Sequence, residues 1–179
     1  MKIFLSAFLL IMLAACAGTD QLSAAAPGTR RINIVHSASG EKVFATYAIN
    51  GTYSTEAMQR LSRLFRDRVT GEVHRVDPKL IEVMYSLLNA LALPDDTQIT
   101  LTSGYRTPSR QAEMAQKDEN AARKSLHTTG QAADIKISGV KGKAVAEIAK
   151  TLQDGGVAYY PKTGHIHVDV GRIRTWYPK

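Results

Sequence analysis

Two short stretches of the chain carry side chains that could do chemistry, and together they could hold a metal ion. Residues 125–134, with the sequence SLHTTGQAAD, offer an imidazole and a carboxylate close together. Residues 165–169, with the sequence HIHVD, add two more imidazoles near the C-terminus. A catalytic zinc ion takes three protein ligands of these types and leaves a fourth position open for water. The sequence therefore predicts a metal site with His127, Asp134 and His167 as its ligands.

Alternating polar and apolar residues indicate where these ligands lie. Alternate side chains of a β-strand point to opposite faces of the sheet. In the second stretch, His165, His167 and Asp169 would share one face, and the apolar residues between them the other. Asp134 likewise points away from the isoleucines that follow it. The pattern predicts a metal site on the open face of a sheet whose other face is buried.

The same residues resemble a family of zinc peptidases. The spacing S-x-H-x-x-G-x-A-x-D followed by H-x-H is similar to that of the M15 peptidases, which include D-alanyl-D-alanine carboxypeptidases, vancomycin-resistance dipeptidases and phage endolysins. Further blocks match in order: SGYRTP at 103–108, GGVAYYP at 155–161, HVD at 167–169 and RIRTW at 172–176. Together they resemble the murein endopeptidase K branch, from about residue 32 to residue 176. The resemblance implies a zinc-dependent hydrolase that cleaves peptide cross-links of peptidoglycan.

The resemblance also implies roles for residues beside the ligands. Arg106 matches the arginine that M15 enzymes direct at the scissile carbonyl, where a fixed guanidinium would stabilise an oxyanion; a surface ion pair is the alternative. A histidine at the position of His165 acts in some M15 relatives as an acid/base or transition-state group, although here the ring could simply shape the cleft. Many M15 enzymes carry an acid three residues before the last ligand, where this chain has Gly164. The general base therefore stays open between His165 and Asp169.

Three further positions have two interpretations each. Asp169 could instead hold the imidazole of a metal ligand through its ring N–H, a common role for a carboxylate next to a metal site. Ser125 could bind substrate or order its loop. Tyr160 could line the cleft with Tyr159, or both could belong to the core. Zinc is predicted from ligand type, and two histidines with one aspartate also suit other divalent ions.

The N-terminus predicts export and a lipid anchor. Residues 3–15 form an apolar run after Lys2 that is too short for a permanent membrane span and typical of a signal peptide. The run ends in LAAC, which resembles a bacterial lipobox, so Cys16 is expected to be lipidated; an ordinary signal peptide cut nearby is the alternative. With Ala17 rather than aspartate next, the expected location is the periplasmic side of the outer membrane. Residues 16–29 are predicted to be a flexible tether before a peptidase domain at 30–179.

Composition narrows the class of partner. The chain of 179 residues is long enough for one domain with its own core, and its single cysteine cannot form an intramolecular disulfide. The net charge of +7 suits an anionic cell-wall polymer or lipid headgroups. The basic residues are scattered, which disfavours nucleic acid as a partner, and we expect a monomer.

Periodicity predicts an α+β fold: a single domain with a mainly antiparallel sheet that bears the zinc site and is flanked by helices, as in M15 and hedgehog-like peptidases. Strand patterns lie at 31–36, 42–49, 98–103, 133–137, 157–160 and 165–170, and helix patterns at 54–68, 77–91, 109–117 and 143–154. The last helix is predicted to stop at the glycine pair 155–156.

Two other functions are consistent with these patterns. One is a carboxypeptidase that trims the terminal residue of a stem peptide. The other is a catalytically silent peptidoglycan-binding lipoprotein, for which the missing acid at Gly164 is the support.

Overall fold

The computed structural model describes residues 28–117, 122 and 124–178. Eight strands are described: β1 (Thr29–His36), β2 (Lys42–Ile49), β3 (Thr52–Tyr53), β4 (Gln98–Ser103), β5 (Ala132–Ile137), β6 (Gly156–Tyr160), β7 (His165–Asp169) and β8 (Arg174–Trp176). The described helices are α1 (Thr55–Leu64), α2 (Pro78–Ala90), α3 (Pro108–Lys117) and α4 (Gly142–Leu152), with a 3₁₀ helix at Leu126–Thr129.

All eight strands belong to one sheet, in the order β3-β2-β1-β4-β5-β7-β6-β8. Most neighbouring strands are antiparallel, but β1 runs parallel to β4 and β6 runs parallel to β8. The predicted α+β class and mainly antiparallel sheet are confirmed, and the sheet is mixed rather than purely antiparallel. β3 and β8 carry no prediction from the sequence because strands of two and three residues are too short to show alternation.

One face of the sheet is covered by α1, α2 and α4, which contact β1, β2, β5, β6 and β7. Helix α2 begins as predicted: the Asp77 side chain accepts a hydrogen bond from the Lys79 N–H, and Pro78 stands at the start of the helix. Its apolar stripe packs on the sheet, and the fully buried side chains of this core include Leu80, Met84, Leu87, Leu88, Ile99, Leu101, Ile135 and Ile166. The opposite face of β5 and β7 is left for the site.

Two predicted helices end earlier than expected. Helix α1, capped by Ser54 as predicted, ends at Leu64 rather than near residue 68. The Asp67 carboxylate accepts the N–H groups of Val69 and Thr70, which fixes a turn in place of further helix. Helix α4 ends at Leu152, and the left-handed residue that terminates it is Gln153 rather than a glycine.

The glycine pair at 155–156 has a different reason for being there. A Cβ on Gly155 would collide with the backbone carbonyl of Asp169, and one on Gly156 would collide with the side chains of Asp169 and Arg174. The chain therefore needs two residues without side chains where β6 enters the sheet.

The predictions for the N-terminus fall largely outside the described residues. The predicted signal peptide, the lipidation site Cys16 and the tether up to residue 27 all lie there. β1 begins at Thr29, one residue before the predicted start of the domain. Among the described residues, no helix has the length and apolar character needed to cross a membrane.

Candidate metal centre

The three predicted ligands converge because neighbouring elements carry them. Asp134 on β5 lies directly opposite His167 on β7 in the antiparallel register. His127 comes from the 3₁₀ helix that precedes β5. Gly130, with a φ of 67°, ends that helix in the left-handed conformation and lets the chain reverse into the strand. A side chain at residue 130 would also collide with the carbonyl of Arg75.

The donor atoms are spaced as a metal ion requires. His127 Nε2 lies 3.3 Å from His167 Nδ1 and 3.4 Å from Asp134 Oδ1. His167 Nδ1 lies 2.9 Å from the same carboxylate oxygen. Tetrahedral zinc with ligand bonds of about 2.0–2.1 Å has ligand atoms roughly 3.3–3.4 Å apart. Two of the three edges match this spacing, and the third, between His167 and Asp134, is shorter at 2.9 Å. The three buried residues are therefore arranged like one face of a zinc tetrahedron.

Hydrogen bonds on the far side of each imidazole leave lone pairs directed at the centre. His127 Nδ1 lies 2.6 Å from the Gly104 carbonyl oxygen, an acceptor, so this nitrogen carries the proton. His167 Nε2 lies 3.1 Å from Asp169 Oδ2 and donates to it in the same way. In the neutral rings, these partners favour the tautomer whose inward-facing nitrogen presents a lone pair to a metal.

Charge at the centre favours a cation. Burial raises the pKa of Asp134, but His127 and His167 outweigh burial and hold that pKa well below its usual value. Burial, with a smaller contribution from the charges of Arg106 and His167, lowers the pKa of His127 despite the nearby Asp134. At His167 burial also lowers the pKa, and the carboxylates of Asp134 and Asp169 reverse the shift and raise it. An anionic group set among imidazoles in a buried pocket attracts positive charge, which a divalent ion would supply.

Arg106 lies beside the ligands, held by three side chains. Its guanidinium donates to Ser103 Oγ at 3.0 Å, to Gln111 Oε1 at 3.1 Å and to Asp134 Oδ2 at 2.9 Å. Asp134 therefore gives one oxygen to the metal centre and the other to Arg106. The buried amide of Gln111 is fixed in turn by donating to the Ala122 carbonyl. Gln111 could not be predicted from the sequence, because it belongs to no recognisable motif.

Asp169 lies behind His167 rather than in the cleft, and its side chain is 0% exposed. Besides His167, its carboxylate accepts from the N–H groups of Gly156 and Gly171 at 3.0 and 2.8 Å. Arg174 donates to both carboxylate oxygens, at 3.1 and 2.7 Å. Burial would raise the pKa of Asp169, but these hydrogen bonds bring it far below its usual value. Of its two predicted roles, the geometry favours holding His167 over acting as a base.

His165, the third imidazole, faces the cleft next to the ligands. Its Nδ1 lies 2.6 Å from Thr163 Oγ1, and its ring stacks on Tyr160 with the centroids 4.3 Å apart. Burial lowers the pKa of His165, against the opposing charge of Asp134. Gly164, where many M15 enzymes have an acid, has a φ of 72° in the turn between β6 and β7. Tyr159, on the same strand as Tyr160, packs against the core instead.

Ser125 orders the loop that carries His127. Its hydroxyl caps the 3₁₀ helix by accepting from the His127 N–H at 3.3 Å, and its carbonyl accepts from the Thr128 hydroxyl at 2.7 Å. The side chain also borders the cleft. Of the two predicted roles of Ser125, these hydrogen bonds favour loop ordering.

The centre opens into one cleft of about 790 Å³. Its lining includes the three ligands and Arg106, with Lys124 and Lys162 at the rim and Trp176 at the C-terminal end. Trp176 meets the ring of His167 edge-on, with the centroids 5.0 Å apart. Among the described residues that line the cleft, Asp134 is the one acid, so the cleft is basic.

Comparisons with known proteins find similar sequences among peptidoglycan L,D-endopeptidases. Residues 24–176 match the family described as peptidoglycan L,D-endopeptidase MepK. A probable peptidoglycan L,D-endopeptidase MepK of Haemophilus influenzae is 35% identical over 137 residues, which cover 76% of this chain and 73% of that protein. The peptidoglycan L,D-endopeptidase MepK of Escherichia coli K12 is 32% identical over 155 residues, or 87% of this chain and 83% of that protein. The matched family range contains every residue of the metal centre.

Proposed function

The chain belongs to the peptidoglycan L,D-endopeptidase MepK family of M15 peptidases, and we propose that it is a zinc-dependent endopeptidase that hydrolyses peptide cross-links of peptidoglycan. The observation that carries the proposal is the triangle of His127 Nε2, Asp134 Oδ1 and His167 Nδ1, with edges of 2.9–3.4 Å. It is buried on the protein side and borders the cleft, where a peptide can approach it.

A zinc ion held by these three residues would lower the pKa of a bound water to about 7 and polarise the scissile carbonyl. The protein supplies the orientation. Gly104 and Asp169 fix the two imidazoles through their outward N–H groups, and Arg106 fixes the carboxylate. A centre whose ligands are held before substrate arrives needs little reorganisation in the transition state.

Arg106 is proposed to stabilise negative charge on the amide oxygen. Its guanidinium borders the cleft and is held beside the ligands by Ser103 and Gln111. A guanidinium that is positioned in advance and shielded from water stabilises a developing oxyanion more strongly than a mobile surface cation does.

His165 is proposed to carry the proton from the attacking water to the leaving amine. It faces the cleft and is not one of the three residues grouped as metal ligands. Thr163 Oγ1 holds its Nδ1, which leaves Nε2 for the substrate side. Asp169 is unsuited to this step because its carboxylate is fully buried and already accepts five hydrogen bonds. Tyr160 stacks on His165 and would help to fix the ring.

From the N-terminal sequence pattern we propose that this activity is located in the cell envelope. A signal peptide at residues 1–15, lipidation of Cys16 and a tether to residue 29 would hold the domain on the periplasmic side of the outer membrane. That location would give the basic cleft access to anionic peptidoglycan. We propose that the protein acts there as a monomer.

Purified cross-linked muropeptide dimers and their uncross-linked monomers test the proposal. The zinc-loaded protein should convert dimers into monomers and leave supplied monomers unchanged, with product masses that identify the bond. Shortened monomers would show a carboxypeptidase instead. Intact dimers that nevertheless bind to the zinc-loaded protein would indicate the silent wall-binding protein and refute the enzyme.

A further inference from the structure

We propose that Arg174 is a positioning residue of the metal centre: its guanidinium fixes the carboxylate of Asp169, which in turn orients the metal-binding imidazole of His167. The inference rests on the proposed function, since it concerns the metal site of that enzyme. The inference gives the short C-terminal strand β8 a role in orienting a ligand of the metal centre.

The contacts form one continuous chain. Arg174 Nη1 and Nη2 donate to the two oxygens of Asp169, at 3.1 and 2.7 Å. Asp169 Oδ2 accepts from His167 Nε2 at 3.1 Å. The opposite nitrogen of that imidazole is the one directed at the metal position. Because two parallel hydrogen bonds fix the plane of a carboxylate, Arg174 also fixes the direction from which Asp169 holds the ring.

This pair differs from an ordinary surface ion pair. The exposed pair Arg110–Glu113 has an N···O distance of 3.7 Å, with side chains 36% and 59% exposed, and such pairs contribute little. In the Arg174–Asp169 pair the Arg174 side chain is 33% exposed, but the carboxylate is fully buried. A buried carboxylate that loses its cationic partner is costly, and it must shift toward its remaining donors.

A second contact from β8 supports the same ring. Trp176 meets His167 edge-on, and the Arg174 guanidinium lies over the indole ring, 4.8 Å from its centroid. Strand β8 therefore supports His167 in two ways: Arg174 binds Asp169, which holds the ring, and Trp176 contacts the ring directly. The parallel pairing of Gly156 with Arg174 puts the guanidinium where a side chain at residue 156 would otherwise be.

Loss of Arg174 should loosen the ligand without removing it. Replacing an outer partner of a metal-binding histidine typically weakens metal affinity about 10–100-fold. Arg174 is separated from the ligand His167 by one more hydrogen bond than Asp169 is. We therefore expect Arg174→Gln to raise the Kd for zinc about 10-fold, near the lower end of that range. Arg174→Lys should fall in between, because lysine keeps the charge but cannot make the paired contact.

The test measures zinc affinity of the full chain by competition with a chromophoric chelator. Arg172→Gln is the matched control: Arg172 is an exposed arginine two residues away, and no side-chain contact of it is described. The melting temperature of each metal-free variant separates a loss of folding from a loss of positioning. If Arg174→Gln does not fold, the zinc Kd of Arg174→Lys is compared with that of the wild type instead.

A double-mutant cycle identifies the route. In the Asp169→Asn background, Arg174→Gln should add little further loss, since Arg174 acts through Asp169. A zinc Kd within about two-fold of wild type for the folded Arg174→Gln protein would overturn the inference, because outer partners normally cost at least about ten-fold. If Arg174→Gln weakens zinc binding by the same factor in the wild type and in Asp169→Asn, the inference would also be overturned. A wild type that binds zinc tightly but leaves muropeptide dimers intact would refute the proposed function and leave this comparison valid.

Discussion

Replacing Arg106 by lysine separates its observed contact with Asp134 from its proposed role of stabilising an oxyanion. The guanidinium donates to Asp134 Oδ2 at 2.9 Å and, fixed by Ser103 and Gln111, borders the cleft where an amide oxygen would lie. Lysine keeps the positive charge, so the charge of Asp134 stays compensated. It lacks the planar group that can contact three partners at once.

The magnitude follows from what lysine cannot do. A single ammonium cannot donate to Ser103, Gln111 and Asp134 in fixed directions and also meet an oxyanion. Losing one preorganised donor to an oxyanion lowers kcat by roughly 10²–10³-fold, or about 2.7–4 kcal/mol. We expect Arg106→Lys to lose about 100-fold in kcat, at the lower end of that range because the charge remains.

Cleavage of muropeptide dimers at saturating zinc measures this loss, with the zinc Kd determined on the same samples. Arg110→Gln is the control, because Arg110 lies on α3 and pairs with the exposed Glu113. An unchanged kcat at saturating zinc, together with weaker zinc binding, would refute the reasoning, since Arg106 would then serve Asp134 alone.

Three further predictions concern the frame that holds the site. Asp67→Asn should lower the free energy of unfolding by about 2–3 kcal/mol in urea titrations, because the buried carboxylate accepts from both the N–H and the hydroxyl of Thr107 as well as from the loop after α1. Burial raises the pKa of Asp67, but these hydrogen bonds outweigh burial and lower it. The difference in free energy of unfolding between wild type and Asp67→Asn should therefore be constant above the usual pKa of 3.8 and shrink as the pH falls below that value. A difference that grows at acid pH would contradict this reasoning. Gly130→Ala should destabilise the fold and weaken zinc binding, as seen by thermal melting and chelator competition, because alanine strains a φ of 67° and its methyl meets the Arg75 carbonyl. Leu87→Ala in α2 should cost about 2–5 kcal/mol of unfolding free energy and leave the zinc Kd unchanged, since Leu87 is fully buried in the core.

The ligands could be predicted from the sequence because the signals that place them are local. Strand alternation puts Asp134 and His167 on the same face of their strands, and Gly130 marks the turn after His127. The fold class follows from the same local periods. The predicted end of α1 was wrong because that end depends on Asp67, a side chain whose hydrogen bonds form only in the folded loop.

The supports of the site could not be predicted in the same way. Gln111 reaches Arg106 from α3, and Arg174 reaches Asp169 from a strand too short to show alternation. Both contacts depend on how the elements pack rather than on spacing along the chain. The parallel pairing of β8 with β6, which sets the position of Arg174, has no sequence period to reveal it.

The central claim is that His127, Asp134 and His167 hold the ion that drives cleavage. Its most direct test is a titration of zinc into chelator-treated protein while cleavage of muropeptide dimers is followed. Activity should return in proportion to zinc and saturate at one ion per chain, and folded His167→Ala protein should not recover under the same additions. Full activity in the chelated protein, or recovery of His167→Ala to the wild-type level, would contradict the account.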